Sequence, residues 1–136
     1  KKTRTQVTGR FLELNEEYAP LKNVEFTGYE IHMGESRRKD GATASTFTCD
    51  SVTGTEKTEG TFRKNVCGTY VHGIFDKEDV AMGLVRAVGE KKGIDVSDMA
   101  GVDFAAFKET QYDLLAAGLR EHLDMKRIYE IIEQGI

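Results

Sequence analysis

The sequence predicts a fold that mixes strands and helices, strand-rich over residues 1–75 and helical over residues 76–136. Three observations predict it. Val24 to Met33 (VEFTGYEIHM) is dense in β-branched and aromatic residues, which suit a pleated, half-buried surface. Asn65 to His72 (NVCGTYVH) repeats that pattern over a shorter stretch. After Asp76 the apolar residues change to helical spacing, beginning with Val80, Leu84, Val85 and Val88.

The elements follow in order. Thr5 to Leu14 reads as a strand, and Asn15 to Asn23, which holds the only proline, Pro20, reads as a loop. Gly28 interrupts the Val24–Met33 strand, which predicts a bulge or a close backbone approach there. Glu35 to Gly60 is polar and rich in Thr, Ser and Gly. Within it a strand at Thr46 to Cys49, a turn around Thr53-Gly54 and a return near Thr61-Phe62 predict an exposed hairpin. Asn65 to His72 is then one short strand ending at Gly73. Asp76 is the predicted N-cap of the first helix, with Glu78 and Asp79 in its first turn and Lys91-Lys92-Gly93 as its stop. A second helix is expected from about Asp103 to Glu121, burying Phe104, Phe107, Leu114, Leu115 and Leu119. Asp124 is expected to cap a third, short helix carrying Ile128, Ile131 and Ile132. No repeat, low-complexity tract or interdomain linker divides the chain, so residues 1–136 are expected to form a single domain.

Composition narrows the function classes. Nineteen Lys and Arg against 23 Asp and Glu give a net charge of −4 in 136 residues. Basic runs are limited to stretches such as Arg37-Arg38-Lys39, so a nucleic-acid partner is not expected. Two cysteines do not make the disulfide framework of a small secreted domain, and a reducing cytoplasm is the expected location. No apolar run approaches the roughly 20 residues that span a bilayer, so no membrane partner is expected. The chain opens at Lys1 rather than at a methionine, which leads to the expectation of a piece of a longer protein.

Few residues carry chemistry. His122 follows Glu121 near a helix end and reads as a solvated or capping side chain. His32 stands two residues after Glu30, which places both side chains on one face of a strand. His72 ends a strand between Gly68 and Gly73, where small neighbours leave room for a ligand; an ordinary strand-end histidine is the plain alternative. His32, His72, Cys49 and Cys67 can all ligate metal, yet none has the spacing of a zinc site, so no metal is expected. Cys67 lies within a strand and Cys49 in the polar hairpin, not on the tight turn a nucleophile needs. Gly54 to Gly60 is followed by Thr61 where a phosphate-binding loop requires lysine.

Two blocks go further. Gly28 to Gly34 (GYEIHMG) and Gly68 to Asp76 (GTYVHGIFD) resemble the signature blocks of the cobyric acid synthase family. Lys2-Thr3 with Gln6-Val7 and Gly9 at the start, and LLAAGLREHLDMKRIYEII from Leu114 to Ile132, fit the same family in the same order. The resemblance covers nearly the whole chain and matches the C-terminal part of the family's glutamine amidotransferase domain. It implies the fold class, namely the C-terminal portion of an α/β, flavodoxin-like class I glutamine amidotransferase domain. It also implies a function within cobalamin biosynthesis. In that family the amidotransferase releases ammonia from glutamine, and an N-terminal synthetase domain uses ATP to amidate carboxylates of the corrin ring. The implied partners are therefore glutamine, the synthetase domain of the same protein and, through it, the corrin substrate. ATP and magnesium are implied for the synthetase domain, with no cofactor bound by this part.

The family's catalytic histidine falls on His72. Ile74 stands where typical class I enzymes carry a glutamate, so a Cys–His dyad is implied. His32, Glu30, Tyr70 and Gly73 are implied as glutamine-pocket or supporting residues, with Glu30 as a carboxylate able to orient the histidine. The chain departs from the family at one place: it contains no G-x-C-G-G elbow, and neither Cys49 nor Cys67 stands in one. The nucleophile is expected in the part that would precede Lys1, leaving half an active site that is inert alone. The alternative is a non-catalytic binding or scaffolding module that kept the fold. Strands left without their neighbours are expected to expose apolar surface and to favour self-association.

Overall fold

A computed structural model describes residues 2–135, in two compact units that divide between Asp103 and Phe104. The strand-rich first part and helical later part are as the sequence predicts. Strands β1 (Lys2–Phe11), β2 (Glu25–Met33), β3 (Thr46–Asp50), β4 (Glu56–Glu59) and β7 (Val71–His72) form one sheet in the order β4-β3-β1-β2-β7. Strands β5 (Thr61–Arg63) and β6 (Val66–Gly68) form a second, two-stranded sheet. Every ladder among the described residues is antiparallel.

The first strand begins earlier than predicted, at Lys2, and ends at Phe11 instead of Leu14. Its alternation of exposed and covered positions ends on buried Val7 and Phe11, which face the core. The predicted loop at residues 15–23 contains a 3-10 helix, Glu16–Leu21, whose start is held by the Asn15 side chain accepting from the Tyr18 N–H. Prediction and structure agree closely for β2. Gly28 there marks a close approach and not a bulge: the register with β1 runs unbroken from Lys2–Met33 to Arg10–Glu25. A Cβ at Gly28 would collide with the His72 carbonyl oxygen and lie 2.6 Å from Val71 Cγ1.

The hairpin returns earlier than predicted. Asp50 Oδ1 accepts the N–H groups of Val52 and Thr53, the turn passes through Gly54 at φ 69°, and β4 pairs back from Glu56. Gly60 at φ 69° ends that strand, so Thr61 and Phe62 belong to the second sheet. The single strand predicted over Asn65–His72 is split into β6 and β7. Glu59 causes the split: its Oε1 accepts the Tyr70 N–H at 2.8 Å and its Oε2 accepts the Thr69 hydroxyl at 2.6 Å. The Tyr70 N–H thus goes to a side chain of another element, and the Val71 N–H to the Thr69 hydroxyl, where a continuous ladder would have used both.

Beyond Gly73 (φ 79°) a short 3-10 helix, Ile74–Asp76, leads into α1 (Glu78–Lys92). Asp76 is not the N-cap of α1, as the sequence had indicated; it closes the 3-10 helix, and Lys77 occupies the cap position in extended conformation without a side-chain bond. The predicted stop is correct, with Gly93 at φ 65°. Helix α1 packs on the Glu16–Leu21 turn, where Gly83 allows Leu21 to approach: a Cβ would lie 2.9 Å from Leu21 Cδ2. The core comprises Val7, Phe11, Leu21, Phe26, Val71, Ile74 and Val80, with the Phe11 and Phe26 rings edge-to-face at 5.5 Å.

The second unit holds α2 (Phe104–His122) and α3 (Met125–Gln134). Asp124 caps α3 as expected, its Oδ1 accepting the Arg127 N–H at 2.9 Å. The expected burial along α2 does not occur. Phe104, Phe107, Leu114, Leu115 and Leu119 are all exposed, and neither helix has a buried residue. In α3, Ile131 and Ile132 are likewise exposed. Helices of 19 and 10 residues have no second layer in their own unit against which to enclose an apolar face. Among the described residues no helix is long and apolar enough to cross a membrane.

Candidate functional site

Alternation along β2 and its pairing with β7 decide which side chains can meet. Phe26, Glu30 and Val71 are buried on the core side, whereas Tyr29 and His72 are exposed. Tyr29 stands directly opposite His72 and Glu30 directly opposite Val71. Cross-strand partners share a face, so Glu30 and His32 lie on one face of the sheet and His72 on the other.

The Glu30 face is a dense polar cluster. Glu30 is 1% exposed. Its Oε1 receives Lys57 Nζ at 2.6 Å and lies 2.8 Å from His32 Nε2. Lys57 reaches it from β4, with β3 and β1 between the two strands. Such double compensation is what allows a carboxylate to be buried at all. His32 Nδ1 lies 3.0 Å from the Gly34 carbonyl oxygen, so both ring nitrogens have a polar neighbour. The imidazole is also stacked on Tyr70, with centroids 4.2 Å apart and planes at 17°. The Tyr70 hydroxyl is hydrogen-bonded to Ser36, which ties the segment after β2 to the approach to β7. Beneath it Glu59 accepts from Thr46, Thr69 and the Tyr70 N–H, closing a second buried carboxylate.

This cluster forms one wall of a cleft of about 560 Å³. Glu30, His32 and Tyr70 line it, together with the 35–39 segment, Lys57 and Arg63. His72 and Gly73 do not.

His72 has a different setting. It is exposed, at the end of a two-residue edge strand, and its side chain has no polar partner among the described residues. Gly73 turns the chain sharply behind it, and a Cβ there would approach Asp76 Oδ2 to 3.4 Å. Ile74 is 5% exposed within the core.

The structure therefore brings together three of the sequence-derived site residues, His32, Glu30 and Tyr70, and holds His72 and Gly73 apart from them. Glu30 bonds His32 and Lys57, and no bond joins it to His72. Lys57, Glu59 and Ser36 were not singled out from the sequence. The only signal for Lys57 and Glu59 is their two-residue spacing on a short polar strand, which gives them one face.

The cysteines offer little as nucleophiles. Cys49 is half-buried, and its thiol points to the Asp50 carbonyl oxygen at 3.8 Å. Cys67 is exposed as a residue, yet packing around its sulfur pushes the thiol up from its ordinary value, with Glu59 adding to the rise and a Ser45 hydrogen bond opposing it. A raised thiol holds less of the reactive thiolate at neutral pH. Among the described residues no group of three or more His, Cys, Asp and Glu side chains is gathered as metal ligands.

Comparison with known proteins agrees with the motif resemblance. Residues 1–80 match the family model described as the CobB/CobQ-like glutamine amidotransferase domain. Over its full length the chain is 39% identical to a cobyric acid synthase of Ruminiclostridium cellulolyticum, covering 27% of that protein. It is 35% identical to one from Lachnoclostridium phytofermentans, again over the full chain and 28% of the relative. With a Klebsiella pneumoniae cobyric acid synthase the identity is 34%, over 98% of the chain and 26% of the relative. The chain thus spans about a quarter of the length of the curated relatives it matches. No solved structure matches it.

Proposed function

The chain belongs to the CobB/CobQ-like glutamine amidotransferase family, and from that premise we propose that it supplies the acid–base half of a glutamine-hydrolysing site, with His72 as the histidine. One observation carries this reading. His72 is the histidine whose imidazole is presented to solvent on a sheet edge, free of polar partners among the described residues, immediately before a left-handed glycine. An imidazole free at both nitrogens is able to take a proton from a thiol and pass it on.

In the complete site a cysteine outside this sequence attacks the side-chain amide carbon of glutamine. The tetrahedral adduct collapses to a thioester as the protonated His72 gives its proton to the departing nitrogen, releasing ammonia. His72 then removes a proton from water as the water adds to the thioester; the C–S bond breaks, the sulfur takes that proton back, and glutamate leaves. The residue two places after the histidine is Ile74, an aliphatic side chain with no carboxylate to orient an imidazole, which fits a Cys–His dyad. In this reading Glu30, His32 and Tyr70 are supporting residues: the His32 ring braces Tyr70, two residues before His72, and so steadies the strand that presents it.

The ammonia would serve the ATP-dependent amidation of corrin carboxylates that the cobyric acid synthase resemblance implies. ATP and magnesium would belong to the synthetase part.

Two measurements test the reading. The isolated 136-residue chain is expected to show no glutaminase activity; clear turnover of glutamine would overturn the half-site assignment. In an intact cobyric acid synthase carrying this chain, His72→Ala is expected to abolish glutamine-dependent amidation and to spare amidation with free ammonia. Loss of both activities would make His72 a structural residue.

A further inference from the structure

The cleft on the Glu30 face has an electrical character opposite to that of the chain. The protein carries a net charge of −4, yet the cleft gathers five cationic residues, Arg37, Arg38, Lys39, Lys57 and Arg63, against three carboxylates, Glu30, Glu35 and Glu59. Two of those carboxylates are already satisfied. Glu30 is taken by Lys57 and His32, and Glu59 by Thr46, Thr69 and the Tyr70 N–H. Arg38 is held in place by the Gly60 carbonyl oxygen at 3.0 Å and by Thr58. Arg37, Lys39 and Arg63 have no acceptor among the described residues. A surplus of two positive charges therefore faces a cleft of about 560 Å³, a volume that suits a small molecule.

We propose that this cleft is a binding site for a small dianion, a molecule bearing two or more carboxylate or phosphate groups, which Arg37, Lys39 and Arg63 receive. Guanidinium forks match the paired oxygens of either group, and a concave wall concentrates the field of several cations on one ligand. The segment that carries Arg37 and Lys39 is anchored on both sides of Arg37: Ser36 is fastened to Tyr70, and Arg38 to the Gly60 turn. The proposal does not depend on the acid–base role of His72, which lies on the opposite face of the sheet.

Titration calorimetry of the 136-residue chain at low ionic strength tests it, with tricarballylate as the polycarboxylate probe and pyrophosphate as the phosphate probe. At least one probe is expected to bind saturably at one site per chain. Arg37→Gln combined with Lys39→Gln, and separately Arg63→Gln, are expected to weaken it roughly tenfold or more, as loss of charge-assisted bonds requires. All three side chains are exposed, so unchanged melting temperatures are expected for the variants. Arg86→Gln, which removes the same charge on α1 outside the cleft, is the control and is expected to leave binding unchanged. Whichever probe binds more tightly identifies the anionic group. Failure of both probes to bind, or equal weakening by Arg86→Gln, overturns the proposal.

Discussion

Helices α1 and α2 are alike in sequence character and opposite in setting. Both carry apolar residues at helical spacing. Helix α1 has five buried residues, Val80, Met82, Gly83, Ala87 and Gly89, whereas α2, four residues longer, has none. The difference is the presence of a partner. For α1 the Glu16–Leu21 turn and the Ile74–Asp76 turn supply a second layer, and Gly83 lets Leu21 close against the backbone. For α2 no such layer exists within its own unit. Periodicity states which face a helix would bury; only another element decides whether it is buried.

The largest expected effect breaks or upholds this contrast directly. Phe26→Ala in the first unit should cost about 3–5 kcal/mol of unfolding free energy, because it empties a site walled by Phe11. Leu115→Ala in α2, where the side chain is 61% exposed, should stay within about 0.5 kcal/mol. Urea denaturation of both variants measures the difference, and equal losses would end the contrast.

Glycines give the next test, with opposite signs. Gly28→Ala pushes a Cβ into the β7 backbone and should destabilise by about 1–3 kcal/mol. Gly118→Ala places its Cβ in open space on α2 and should stabilise that helix by about 0.5–1 kcal/mol. Thermal melts followed by circular dichroism separate the two outcomes. A smaller loss is expected for Glu30→Gln, about 1–2 kcal/mol, since the amide keeps the shape but weakens the bonds to Lys57 and His32. Chemical denaturation of this variant beside Glu109→Gln, on exposed α2, tests whether carboxylates follow the same division.

The smallest effect lies at the β3–β4 turn. The Thr53 and Val52 N–H groups lower the Asp50 carboxyl below its ordinary value. Its stabilising contribution is therefore full above the unfolded-state value and is lost as pH falls below the ordinary aspartate range and through the lower folded value. Denaturation midpoints measured across that interval should fall less steeply in Asp50→Asn than in the native chain.

How much of this was legible in the sequence depends on the range of the deciding contact. Strand β2 was read almost to its ends because its β-branched and aromatic density is local, and Glu30 and His32 shared a face by spacing alone. The Asp124 cap of α3 was equally local. The break between β6 and β7 was not visible, because Glu59 makes it from another strand. The salt link from Lys57 depends on the register of β3 and β4 and on β1 lying between them and β2, none of which any short window encodes. The same holds for the separation of His72 from Glu30: it follows from the pairing of Tyr29 with His72, which is a property of the sheet.

The shortness of β7 has a dynamic consequence. It is an edge strand of two residues, held to β2 through two residue pairs. Edge segments with few ladder bonds open by local excursions far smaller in free energy than global unfolding, and their amides exchange with solvent first. Releasing those two rungs displaces the His72 imidazole and loosens the neighbouring Val71 from its place in the core. A local excursion of this edge is thus one that moves the residue proposed to carry protons.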